Sequence, residues 1–335
     1  KKKDKTGEQP APPTSVEKKK KGFFDNFLKN RLGKQAAQGE EVVGVELTPE
    51  EIRLAQLSSN KSNQWVLEKF FVHKVEGLPE GGTVLDNPDH IGEQLQVALQ
   101  KSKISTTNAA IAIPVTSAII RVVTAPLMSD EELKKAIETD SLWENLVQLT
   151  DNLADYSIFH QVINKDEKAN TMDILFVASK LSDVNEYSNI VKKAGLNPVI
   201  IDVRCFTLKN AHDNSQFKSI VEKTSSAILE LGPEENYLMI IHNNIPVITD
   251  VFLRQPEKEM LSSISEQPNS EAEAVVRRYS MQIKQALAEY ETKYENKITN
   301  IQVVSSMKNI SNLLKSFKKN LPTVGFHLFD PLEGV

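Results

Sequence analysis

Apolar and polar positions change period several times along the chain, and each change marks an element. From residue 42, the segments EVVGVEL, IRLAQLS and NQWVLEKFFVHKVE alternate or run apolar over strand length. They predict three β-strands, the first two joined at Thr48 and Pro49. DNPDHIGEQLQVALQKSK puts Ile91, Leu95, Ala98 and Leu99 at helical spacing, with Asp89 as the predicted N-cap. NAAIAIP is a short buried strand stopped by Pro114. The unit reads β-β-β-α-β.

A different pattern follows. AIIRVVTAP is a strand, and MSDEELKKAIETDSLWENL reads as one helix capped by Ser129, with Asp130, Glu131 and Glu132 at its positive end. DYSIFHQVI and TMDILFVAS alternate as a hairpin, KLSDVNEYSNIVKKAGL is a helix closed by Gly195, and NPVIIDVRC returns as a strand. This β-α-β-β-α unit, residues 116–199, is read as an insertion into a first half made of 42–115 and 200–222. The second half, 226–335, opens with three strands whose second turn is HNN. A polar stretch around 253–275 precedes a long helix with Val275, Val276, Tyr279, Met281, Ile283 and Leu287 on its apolar side. ITNIQVVSS, KNISNLLKSFKKNL and TVGFHLFDPLEGV then give strand, helix and strand. No sequence repeat is visible, but strand-strand-strand-helix-strand occurs twice and points to a structural duplication.

Composition narrows the function. The 335 residues are 40% hydrophobic and 25% charged, as in soluble globular proteins, with a net charge of −5 that argues against whole-chain attraction to nucleic acid. Cys205 is the single cysteine, so no intramolecular disulfide forms. No apolar run approaches the ~18–20 residues of a membrane-spanning helix. The sequence is read as that of a cytoplasmic protein. Residues 1–21 are lysine- and proline-rich, which predicts a disordered basic tail. Behind it, Phe23, Phe24, Phe27, Leu28 and Leu32 share one helical face, so residues 22–34 are either a peripheral contact with an anionic membrane or a helix packed on the domain. The six histidines lack ligand spacing, which disfavours a metal site. Cys205 is read as a core residue on the return strand, Trp65 as a sheet residue, and Trp143 as core packing or the lining of a partner groove. RRYSMQIKQ is read as a solvated helix face.

Several stretches, in order and spacing, resemble the PilM family of type IV pilus assembly proteins, in the FtsA-like branch of the actin-like ATPase superfamily. They are VVGVELTPEEIRLAQL, EGLPEGG, KSKISTTNAAIAIP, APLMSDEELKKAIETD, VGFHLFDPLEGV and, as the best single match, VKKAGLNPVIIDVRCFTL at 191–208. The resemblance implies an α/β actin-like ATPase fold: two RNase H-like halves, an inserted SHS2-like subdomain in the first, and here a reduced fourth subdomain. It also implies a nucleotide held between the halves by two hairpin turns, each with an acid orienting a magnesium-bound water, and by a glycine-rich turn under the adenosine.

The matching positions are Glu46 and Thr48 in the first turn, Glu230 and Gly232 in the second, and Ser305 and Ser306 in the third. All three turns depart from the pattern. Pro49 and Pro233 remove backbone donors. Glu50, Glu51, Glu234 and Glu235 bring charge that repels a phosphate by ~1 kcal/mol or more each. Serines replace glycines at 305 and 306. Two readings stand for Glu46 and Glu230: acids of a working ATPase, or solvated residues at strand ends, which the following prolines and glutamates favour.

ATP and magnesium are therefore disfavoured as cofactors. The expected function is a scaffold at the cytoplasmic face of the inner membrane. It binds the N-terminal cytoplasmic peptide of PilN beside the inserted subdomain and couples to other pilus platform and motor proteins. The alternatives are an active ATPase, or an actin-like component of a mannose-sensitive-type pilus or type II secretion system.

Overall fold

A computed structural model describes residues 41–59, 65–79, 82–139, 141–147, 152–216, 225–232, 235–250 and 254–332. The basic tail, the amphipathic segment 22–34, Pro233 and Glu234 lie outside the described residues.

Strands β1 (Val42–Leu47), β2 (Glu51–Ser59) and β3 (Trp65–Lys74) form an antiparallel meander. Their alternation buries Val43, Val45, Leu47, Ile52 and Leu54 on one face. Helix α1 (Pro88–Ser102) buries Ile91, Leu95 and Ala98. It begins two residues earlier than expected: Asn87 holds the N-cap position, Pro88 takes the first helical turn, and Asp89 instead pairs with Lys193 at 2.5 Å. Strand β4 (Asn108–Ile113) then lies parallel to β1.

The inserted unit has its own three-stranded sheet and core. β5 (Ala118–Pro126), β6 (Tyr156–Asp166) and β7 (Thr171–Lys180) are ordered β5-β7-β6. The predicted single helix is two, α2 (Asp130–Glu138) and α3 (Ser141–Leu146). Ser129 caps α2 through a reciprocal box with Glu132, as the acid-rich start predicts. Trp143, 1% exposed, is core: it packs 4.9 Å from the Phe176 ring and 5.7 Å from His160.

Helix α4 (Leu181–Lys193) closes with Gly195 at φ 92°. The sequence assigns it to the insertion, yet it packs against α1, and Gln96 Nε2 donates to the Lys193 carbonyl at 2.9 Å. Strand β8 (Asn197–Val203) pairs in parallel with β4, giving the order β3-β2-β1-β4-β8. It stops at Val203, so Cys205 sits in the first turn of an unforeseen helix, α5 (Arg204–Gln216), and not on the strand. The residue is buried, as expected.

The second half repeats the plan. β9 (Ser226–Leu231), β10 (Asn236–His242) and β11 (Ile245–Asp250) form a meander. The turn at Asn243 and Asn244 has φ of 49° and 69°, the left-handed pair that a two-residue hairpin needs. Between β11 and the long helix, the described residues hold one short helix, α6 (Gln255–Ser262), in the stretch read as unpatterned. Helix α7 (Ser270–Tyr294), β12 (Asn300–Ser305), α8 (Ile310–Asn320) and β13 (Gly325–Leu328) complete a sheet ordered β11-β10-β9-β12-β13. Its core joins Leu229, Leu231, Leu238 and Ile240 to Val276, Tyr279, Ile283 and Phe317. Met281, expected on the apolar side of α7, is 70% exposed. The two five-stranded sheets share one order, so the duplication is present in topology.

Candidate functional site: an arginine between two carboxylates

In parallel sheets ligands bind outside the carboxyl ends of the strands. Here the ends of β1, β4 and β8 meet the end of β9. Glu46 is the penultimate residue of β1, Arg204 follows β8 directly, and Glu230 is the penultimate residue of β9. Arg204 Nε and Nη2 lie 2.7 and 2.6 Å from Glu230 Oε1, while Nη1 pairs with Glu46 Oε1. The line extends outward: Arg53 Nη1 reaches Glu46 Oε2 at 3.1 Å, and its Nη2 reaches Glu51 Oε2 at 3.0 Å. One guanidinium thus joins the acid of the first turn to the acid of the second.

The reading of both acids as solvated strand-end residues does not hold. Glu230 is 4% exposed, and its partner guanidinium replaces the water that a strand-end acid would have. Tyr237 is its cross-strand neighbour, and the Tyr237 hydroxyl interacts with the Glu230 carboxylate. Burial, then the charge of Glu230, push the Tyr237 hydroxyl far up. Burial would strip the proton from Arg204, but the charge and hydrogen bond of Glu230 outweigh it and hold the guanidinium above its usual range.

The remaining predicted residues lie in the turns around this bridge. Thr48 is buried, and its Oγ1 accepts from the Glu51 N–H at 2.9 Å and donates to the Glu51 carbonyl at 2.8 Å. Its own N–H also donates to that carbonyl, at 3.0 Å. The Gly232 N–H donates to the Glu235 carbonyl at 2.9 Å. Ser305 pairs with Leu231 in the β12–β9 register, so it lies beside the β9 end, and its Oγ accepts from the Met307 N–H at 3.1 Å. Ser306 is exposed.

Sequence reasoning missed Arg204, the helix that carries it, and the role of Glu235. Glu235 is no exposed repulsive charge: it is 8% exposed and its Oε1 accepts from the Val115 N–H at 2.9 Å, tying the second half to the entry of the inserted unit. Burial first, then the charge of Glu230, push its carboxyl up to about 7. Half-buried Asp202, at the end of β8, is also pushed up to about 7 by burial. Helix α5 follows β8 in the first half but bonds the second. His212 meets Gln302 at 2.5 Å and Ser226 at 2.9 Å, and Lys209 reaches Asn244 at 3.1 Å. Burial, then Asp202, raise the Cys205 thiol well above its usual range, which fits packing and not nucleophilic work. Among the described residues no cluster of histidine, cysteine and carboxylates has metal-site geometry, and no helix is long and apolar enough to cross a membrane.

Two sheets of identical order with a third sheet inserted in the first half define an actin-like ATPase fold. The chain belongs to the family of the type IV pilus assembly protein PilM, whose model matches residues 44–286. Among solved structures, the first of the following matches agrees on the fold. The PilM–PilN type IV pilus biogenesis complex matches with a TM-score of 0.67 at 14% identity, covering 88% of this chain and 89% of that one. EutJ, an ethanolamine utilization protein from Carboxydothermus hydrogenoformans, matches at 0.46 and 11% identity over 92% and 96%. The cytoplasmic domain of EpsL, a type II secretion component of Vibrio cholerae, matches at 0.40 and 11% identity over 87% and 98%. No curated protein matches the sequence.

Proposed function

We propose that this chain is a non-hydrolytic adaptor of type IV pilus assembly. It binds the extended N-terminal cytoplasmic peptide of a PilN-like inner-membrane protein beside the inserted subdomain, at the cytoplasmic face of the membrane. From there it couples the membrane platform to other pilus proteins and to the motor. Family membership supports the pilus role, and the PilM–PilN complex supports the choice of partner.

The observation that carries the non-hydrolytic part is the Arg204 bridge. The fold family implies a magnesium–nucleotide pair in this cleft. Its acids would face a metal-bound water, but here both face a guanidinium. A divalent cation beside that positive charge is repelled, so the residues present do not fit magnesium. The turns argue the same way: Pro49 offers no N–H, and the Thr48 and Gly232 N–H groups are engaged inside their own turns.

Titration of the PilN N-terminal peptide onto the chain, with and without magnesium–ATP, tests the reading. Saturable binding indifferent to nucleotide is expected. Absence of peptide binding overturns the adaptor role. Micromolar ATP binding that is lost in Gly232→Val overturns the non-hydrolytic one.

A further inference from the structure

We propose that Arg204 is a resident cation that holds the two halves closed, standing in for a divalent ion and making closure independent of nucleotide and metal. The proposal deepens the reading of the cleft given above and rests on it.

Its first support is where the three groups sit. Glu46 is fixed on β1 of the first sheet and Glu230 on β9 of the second, so a group that pairs with both joins the halves. Arg204 reaches both from one side chain because it occupies the first turn of α5, the helix that leaves the first sheet and hydrogen-bonds to the second through His212. A planar fork suits this geometry, since Nε and Nη2 converge on one carboxylate while Nη1 turns to the other.

Burial is the second support. Side-chain exposure is 17% for Arg204, 18% for Glu46 and 5% for Glu230. Removing one member of such a group leaves an uncompensated charge in a poorly solvated place, so the bridge resists opening. An arginine is also disfavoured at a helix N-terminus, where the macrodipole is positive. Two carboxylates outweigh that penalty here, which ties the residue to the pairing and not to the helix.

Without the Arg204 guanidinium, buried Glu230 would lose its cation and Glu46 would keep only Arg53, at 3.1 Å. Hard oxygen ligands of that kind attract magnesium. Arg204 therefore decides whether closure is built in or supplied by a metal. A permanently closed cleft keeps the inserted subdomain in place through the Glu235–Val115 bond, so a partner would meet a preformed surface.

Amide hydrogen exchange of the full chain, with and without millimolar magnesium chloride, tests this. In the parent chain, exchange in α5 and β9 is expected to ignore magnesium. In Arg204→Gln those amides exchange about tenfold faster or more, and magnesium restores most of the protection. The double variant Arg204→Gln with Glu230→Gln loses the magnesium response. Slower exchange of the parent on adding magnesium, or parent-like exchange in Arg204→Gln, overturns the proposal. If Arg204→Gln folds only with magnesium, the proposal stands. If it folds in neither buffer, Arg204→Lys decides: indifference to magnesium sustains the proposal and a magnesium response overturns it. Neither peptide nor ATP is present, so this result and the peptide titration fail independently.

Discussion

Glu235→Gln converts a buried acid into a neutral residue of the same shape. The native Oε1 accepts a hydrogen bond from Val115 N–H, and the amide oxygen of glutamine can accept the same bond. What changes is ionisation. Burial and Glu230 push the folded-state value up to about 7, against 4.5 for an ordinary glutamate. The folded chain therefore binds more protons than the unfolded chain between those values. The stability this contributes is complete below about 4.5 and is lost as pH rises through about 7. A shift of that size corresponds to ~3 kcal/mol at pH 8 and to under about 1 kcal/mol at pH 5. Glu235→Gln should then be more stable than the parent by ~3 kcal/mol at pH 8 and close to it at pH 5. Urea denaturation at each pH, followed by tryptophan fluorescence, measures the difference. Asp202 adds a slope of the same sign. His160, His212 and His242, lowered by burial, add slopes of the opposite sign below their ordinary value. All of these cancel when parent and variant are compared at one pH. Equal destabilisation of Glu235→Gln at both pH values would refute the reasoning, because it would mean that the charge is not what burial penalises.

Two further substitutions probe other links. Trp143→Ala removes the largest side chain from the core of the inserted unit and should destabilise it by ~3–5 kcal/mol, read as a lower urea midpoint and lost hydrogen-exchange protection in β6 and β7. Gly195→Ala has open space around the new methyl but a φ of 92°. Backbone strain alone should lower stability by ~1 kcal/mol in chemical denaturation.

The strands and long helices were legible because each carries a local signal. The meanders alternate, Ser129 and Glu132 spell a capping box, and the two asparagines after His242 demand a hairpin. Elements with weak local signals were lost. Helix α5 spreads its few apolar residues around its circumference, so it shows no single stripe; it packs on β8 and β4 and reaches the second half through the polar side chains of Lys209 and His212. Helix α4 was found, but its neighbours were not, since an amphipathic face says that something covers it without saying what. The order of elements carried topology furthest: strand-strand-strand-helix-strand occurs twice, and the sheet orders bear out two like halves although no sequence repeat is visible.

The candidate site was half legible. Turn chemistry is local, so prolines and glutamates at 49–51 and 233–235 were visible directly. Charge compensation is not local. Glu46 and Glu230 looked like excess charge on isolated strand ends, and water was the natural partner to assign. The fold instead brings Arg204 to both from the exit of a third strand, where nothing in VRC announces a pairing residue. Glu235, read as a charge that repels phosphate, is turned inward to the backbone amide of Val115 in the first half. A surplus of acids around an inherited anion site is therefore a reason to look for a nearby cation before concluding that the acids are solvated. In this chain that cation is covalently part of the protein, and its removal should expose whatever capacity for metal the two carboxylates retain.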